Sequence, residues 1–148
     1  MFTTLRRATL EDLADLVSLL DAYRVFYNQS SDREGANEFL RARLREMDSV
    51  IFLARIKGVA AGFVQLYPSF STVSLRSIYI LNDLFVIPSY RKQGIGAALL
   101  KRSQEFCAEY GYKGLALETA MDNPAQALYE RMGWKKDVHC FHYFWTVP

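Results

Sequence analysis

Cysteine is scarce in this chain: Cys107 and Cys140 are the only two in 148 residues. That number excludes a disulfide framework, and both read as reduced core residues. Long apolar runs are missing too, with no stretch of about eighteen such residues to cross a bilayer. The start, Met1 to Arg7, lacks the apolar centre of a signal peptide, so the expected location is the cytoplasm. Charge of one sign is lacking: the formal net charge is +2 and the basic residues are dispersed, which argues against a nucleic-acid partner. Histidine occurs twice, at His139 and His142. Along a strand, Cys140 and His142 share one face, and two ligands do not complete a tetrahedral site, so no metal is expected. No repeat, low-complexity segment or linker breaks the chain. What it has in quantity is apolar and aromatic side chain, 51% and 14%, enough for the core of one domain spanning residues 1–148.

Hydrophobic periodicity orders the elements. Residues 2–8 suit a first strand. Thr9 to Asp12 resembles a capping box with Asp in the place of Glu or Gln. Leu13, Leu16, Val17, Leu20 and Tyr23 then follow at helical spacing. Ser31 with Glu34 predicts the start of a second helix carrying Phe39, Leu40, Leu44 and Met47. Val50–Ile56 and Val59–Tyr67 read as a hairpin about Lys57-Gly58, with Pro68 as its end. Residues 78–87 are apolar on both faces, the mark of a central strand covered on both sides. After the loop Pro88 to Gln93, Gly94 opens a long helix faced by Ile95, Leu99, Phe106 and Tyr110, and Gly111 suits its end. Leu115–Thr119 is a short strand. Asp122 or Asn123 caps a last helix with Pro124 at its first position, Gly133 ends it, and His139–Val147 is an aromatic final strand. The order predicts an α/β chain with one mixed sheet and helices on both faces.

The run Arg91-Lys92-Gln93-Gly94-Ile95-Gly96-Ala97 joins the central strand to a helix start. Its glycines permit a tight turn and close approach of a ligand, and the first amides of a helix have no partner within it. With the helix dipole and two basic side chains, this is an anion site suited to a pyrophosphate. A Walker loop would need Lys and Ser or Thr after the second glycine, and a dinucleotide fingerprint a third small residue; Ala97 and Leu99 stand there instead.

Arg91-x-x-Gly94-x-Gly96, following Asp83-Leu84-Phe85-Val86-Ile87-Pro88, resembles motif A of the GNAT superfamily of N-acetyltransferases. Asn123 to Trp134, with Ala127-Leu128-Tyr129-Glu130 and Gly133, resembles its motif B. The subgroup that Ile80 to Val86 resembles includes amine, polyamine and histone acetyltransferases. The resemblance implies a mostly antiparallel sheet of six to seven strands, about four helices and a splayed central strand. It implies acetyl-CoA as the acetyl donor, its pyrophosphate held by Arg91, Lys92, Gln93, Gly94, Ile95, Gly96 and Ala97. The pantetheine would lie along Leu84, Phe85 and Val86, with the Val86 N–H as oxyanion donor. Tyr129 matches the family's general acid. Asn123 stands one residue nearer to Tyr129 than the family's asparagine, so Asp122 competes with it as a cofactor contact.

The base is open. Asp83 is a carboxylate in an apolar strand, where a buried charge needs a partner; it either meets the acceptor ammonium or ties the strand to its neighbours. Glu118 is the second candidate. By resemblance the acceptor, a small amine, a polyamine or a lysine side chain, lies against the first two helices. There Tyr23 and Tyr27, one turn apart, form either a cation-binding wall or core packing. A homodimer and a catalytically idle acyl-CoA-binding module complete the alternatives.

Overall fold

The computed structural model describes residues 3–148, so Phe2 of the expected first strand lies outside it. The chain forms two compact units, Met1–Glu118 and Thr119–Pro148.

The first unit holds one sheet in the order β1-β2-β3-β4-β5: β1 Thr3–Arg7, β2 Val50–Ile56, β3 Val59–Ser71, β4 Arg76–Val86 and β5 Leu115–Ala116. The first four are antiparallel neighbours and β5 joins β4 in parallel. Helices α1 Leu13–Phe26 and α2 Arg33–Glu46 follow β1, and α3 Ile95–Glu109 follows β4. Neighbouring residues of a strand face opposite sides. Ile51 and Leu53 of β2 accordingly join Leu16, Leu20 and Leu40 in one core, while Phe52 between them meets Phe106 of α3 at 5.5 Å between ring centroids. The mixed sheet and the count of four helices, three in this unit and one in the second, are as expected, with five strands among the described residues instead of six or seven.

Local chemistry explains the turns. Thr9 and Asp12 form the expected capping box: the Asp12 carboxylate accepts the Thr9 N–H at 2.9 Å. Lys57 and Gly58 both have positive φ, 48° and 81°, the pairing that suits a two-residue hairpin. The α2 cap lies one residue beyond the expected Ser31: the Asp32 carboxylate accepts the Gly35 N–H, while the Ser31 hydroxyl donates to Asp21 on α1 at 2.7 Å. Pro68 does not end β3. Pairing with β2 stops at Leu66, so Pro68 lies where β3 has lost that neighbour, and there a missing N–H is tolerated. Beyond it β3 and β4 continue as a two-stranded ribbon to a turn in which the Leu75 N–H donates to Thr72 O; Phe70, Val73 and Leu75 are exposed on it.

Between β3 and β4 the register slips once: Gln65 lies opposite Asp83 but Leu66 lies opposite Leu81, leaving Asn82 as a bulge in β4. One surplus residue exchanges the faces of the side chains on either side of it. Tyr79 therefore packs on Phe106 of α3, whereas Phe85 packs on Tyr23 of α1. Strand β5 is shorter than the expected Leu115–Thr119. Its register with β4 is Tyr79↔Leu115 and Ile80↔Ala116, after which β4 runs on to Val86 without a strand on that side among the described residues.

In the second unit, α4 spans Ala125–Arg131, with Pro124 one position before the helix and not first in it. The residues expected as a last strand, His139–Val147, form neither strand nor helix. Phe141, Tyr143, Phe144 and Trp145 are exposed, and Cys140 is exposed as well; Cys107 alone is the buried thiol expected of both cysteines.

Asp12 ties the start of this fold together. It is buried, receives Arg6 at 2.6 Å and Arg55 at 2.9 Å, and Arg55 also reaches Asp15. Burial works to raise its carboxyl, but the Thr9 amide, Arg55 and Arg6 outweigh that and hold it below its ordinary 3.8. Replacing Asp12 by Ala removes the cap on Thr9 and the Arg6 pair and leaves Arg55 with Asp15 alone, and is expected to cost on the order of 2 kcal/mol in urea unfolding at neutral pH. A lowered folded-state value means that the contribution is complete above the unfolded value and disappears as pH falls through the folded one. The urea midpoints of the wild type and Asp12→Ala should therefore converge in acid.

Candidate active site

The end of β4 is shaped by what lies on its two sides. On the β3 side, the Ile87 N–H donates to Ala61 O at 2.9 Å. Antiparallel pairs alternate, so Phe85 turns its backbone groups toward Phe63, and Val86, opposite Gly62, turns its own the other way. Leu84 and Val86 thus present N–H and C=O to the edge that β5 leaves uncovered, while Phe85 contributes its ring and not its amide. Val86 O accepts the Arg91 Nε–H at 2.8 Å on that outward side.

Such a pair brings Cα atoms closest, and Gly62 is what permits it. A Cβ there would stand 2.7 Å from Phe85 O and 3.3 Å from Val86 Cα. The signal was present in Ala60-Ala61-Gly62, small residues within a strand.

Past Val86, a short turn at Pro88–Tyr90 leads to the loop. Lys92 and Gly94 both have left-handed backbones, φ 61° and 83°, and no side chain caps α3. The first bond into the helix from outside is Ala98 N–H to Gly94 O. The N–H groups of Ile95, Gly96 and Ala97 consequently have no helical acceptor and gather at the positive end of the dipole. Lys92, Gln93 and Gly94 are exposed beside them. The Arg91 guanidinium lies 4.9 Å from the Phe26 ring centroid and 5.6 Å from that of Phe85, so it joins the loop to the end of α1. Phe26 belongs to the stretch of the first helix that the resemblance assigns to the acceptor; its contact with the loop through Arg91 is an addition from the structure.

Tyr23 and Tyr27 are both here, with different environments. Tyr23 is half-buried against Phe63 and Phe85, at 5.9 and 5.6 Å, which is core packing; Tyr27 is exposed and touches Tyr23 at 4.9 Å.

Asp83 is buried, and its partners are neutral. Gln65 Nε2 donates to Oδ2 at 2.9 Å, and Asn82 Nδ2 reaches both oxygens at 3.1 Å. The Ser49 hydroxyl in turn donates to Gln65 Oε1 at 3.0 Å. Tyr67, two positions from Gln65 on β3, has its phenol pushed up to about 12 by burial and by the charge of Asp83. Glu118 is exposed in the segment after β5. In the second unit, Asn123 Oδ1 accepts the Ala125 N–H at 2.9 Å and so starts α4, and Tyr129 is half-buried with Trp134 at 5.8 Å.

An uncovered strand edge leading into an uncapped helix start is the arrangement that motif A implied. The Acetyltransferase (GNAT) family profile matches residues 15–134. This chain belongs to the GNAT family of acetyltransferases. It is 45% identical over 145 residues to the uncharacterized N-acetyltransferase YhfO of Bacillus subtilis, covering 97% of each chain. It is 38% identical over 92 residues to the thialysine N-epsilon-acetyltransferase of Bos taurus, covering 55% of this chain and 51% of that one. A crystal structure of a probable acetyltransferase superimposes with a TM-score of 0.92 at 36% identity, covering 98% of both chains.

In this GNAT acetyltransferase, Gly62→Ala should push the Phe85–Val86 backbone outward. The expected result is a loss of about 1–3 kcal/mol in urea unfolding together with at least a tenfold lower acetyl-transfer rate. Gly58→Ala, at the hairpin turn with φ 81° and open space around it, should cost about 1–2 kcal/mol and leave the rate unchanged.

Proposed function

We propose that this enzyme transfers the acetyl group of acetyl-CoA to a primary amine by direct attack on the thioester, the whole chain acting as one catalytic domain in the cytoplasm. The observation that carries the reading is the edge of β4. Leu84 and Val86 turn backbone donors and acceptors to the side where β5 has ended, and that edge runs into the uncapped amides of α3. The amide-bearing pantetheine suits the first and the pyrophosphate suits the second, with Arg91, Lys92 and Gln93 beside it. The name of the bovine relative, which gives a side-chain nitrogen of thialysine as its acceptor, supports a primary amine here.

Asp83 takes a proton from the acceptor ammonium, directly or through water, with Glu118 as the second candidate. The neutral nitrogen attacks the thioester carbon, and the Val86 N–H stabilises the oxyanion, a donor of a kind worth about 3 kcal/mol when preorganised. The C–S bond breaks and the Tyr129 hydroxyl gives its proton to the departing thiolate; the nitrogen loses its second proton as the amide forms, through water to the Tyr129 phenolate, and Asp83 returns the first to solvent. A phenol with an ordinary value near 10 is a suitable donor to a nascent thiolate.

The test is acetyl-CoA consumption with n-butylamine, 1,4-diaminobutane, spermidine and a lysine-containing peptide as acceptors, with product detected by mass. An acetylated amine is expected; coenzyme A release without acetylated product overturns the reading in favour of an idle acyl-CoA-binding module. Tyr129→Phe should reduce kcat by about a hundredfold while calorimetry shows acetyl-CoA binding intact, and unchanged turnover would remove Tyr129 as the acid.

A further inference from the structure

Three acids are buried among the described residues: Asp12, Asp21 and Asp83. Two of them have cations at hand. Asp12 is paired with Arg6 and Arg55, and Asp21, held by Ser31 and the Asp32 amide, lies within the influence of Arg33 and Arg24. Asp83 has no ion pair among the described residues and is met by amides alone. A buried carboxylate is costly without a countercharge, and neutral donors only part-way offset that cost. The arrangement is nonetheless fixed. An ionised carboxylate only accepts, so the Gln65 NH₂ must face Asp83 and its carbonyl must face the Ser49 hydroxyl. Gln65 is 1% exposed and Ser49 7%, so neither exchanges these bonds readily for water.

Resting on the reading of Asp83 as the group that meets the acceptor, we propose that Gln65, anchored by Ser49, is a positioning residue. It aims the Asp83 carboxylate and, being neutral, leaves its charge to be balanced by the ammonium of the acceptor. The substrate class that follows is a primary amine that arrives as a cation. Tyr67 stands on the same face of β3 as Gln65 and feels the Asp83 charge. It is half-buried.

The experiment compares the wild type with Asp83→Asn, Gln65→Met, Gln65→Lys and Ser49→Ala, using the four acceptors above and reading KM for amine and for acetyl-CoA separately. Gln65→Met keeps the volume and removes the donor. Gln65→Lys keeps a donor to Asp83 but supplies the countercharge from within. Both should raise the amine KM about tenfold with the acetyl-CoA KM within about twofold, and Ser49→Ala should raise it less. A merely structural Gln65 would leave the amine KM of Gln65→Lys at the wild-type value, which overturns the proposal. Should Gln65→Met fail to fold, Gln65→Lys and Ser49→Ala decide. If Asp83→Asn keeps the wild-type amine KM, the role given to Asp83 fails and this inference with it. If Asp83→Asn raises it while the Gln65 and Ser49 variants do not, only the positioning role fails. If none of the four amines is acetylated by the wild type, both readings fall.

Discussion

A single surplus residue in β4 organises the working end of this molecule. Asn82 has no counterpart in the register with β3, and from that point the side chains of β4 change sides. Before the bulge, Tyr79 faces α3 and its aromatic neighbours; after it, Phe85 faces α1 and Tyr23, and Asp83 lies across from Gln65. Without the slip, the carboxylate would face α3 and the Phe85 ring would leave the aromatic group at the end of α1. The bulge also supplies Asn82, whose amide holds both carboxylate oxygens. A local irregularity thus sets which chemistry reaches which face, in keeping with the tendency of bulges to re-aim side chains beside functional sites.

The second constraint is the different length of neighbouring strands. β5 follows β4 for two residues of register and then departs, whereas β3 accompanies β4 to its end through the close approach at Gly62. One flank of β4 is therefore a finished ladder and the other a row of directed backbone groups. Arg91 closes the far end of that row by binding Val86 O while lying over Phe26 and Phe85. Strand edge, the loop before α3 and the end of α1 meet at this one guanidinium.

Much of this was legible in the residues. Periodicity located α1, α2, α3 and the strands of the sheet, because those elements bury one face and carry the pattern that burial requires, whereas α4 was read from the residues at its two ends. The loop from Arg91 to Ala97 was readable because its backbone chemistry needs glycine at fixed places. Asp83 was recognisable as an acid out of place, but not its partners: Gln65 and Ser49 are distant in sequence, and only the register brings them together. The bulge at Asn82 was invisible for the same reason, since a slip is a property of two strands and not of one. His139–Val147 has the alternation of a strand, yet alternation states only which side chains would share a face; a strand also needs a partner, which the pattern of one segment does not supply. Asp32 in place of Ser31 as a cap turned on Asp21, a helix away, claiming the serine hydroxyl.

The ribbon beyond Leu66 gives the fold a gradient of local stability. Between Ser71 and Arg76 the two strands form a two-stranded ladder, with Phe70 and Leu75 in water and only the segment before β5 alongside, its Lys113 N–H donating to Ser77 O, and so short a ladder is marginal. Further along, β5 adds a neighbour at Tyr79 and Ile80, and beyond the bulge β3 lies between β2 and β4. Amide hydrogens along this hairpin should therefore exchange with solvent fastest at the tip and slowest around Phe63 and Phe85, so that fluctuation is concentrated at the end of β4 farthest from Asp83 and Val86.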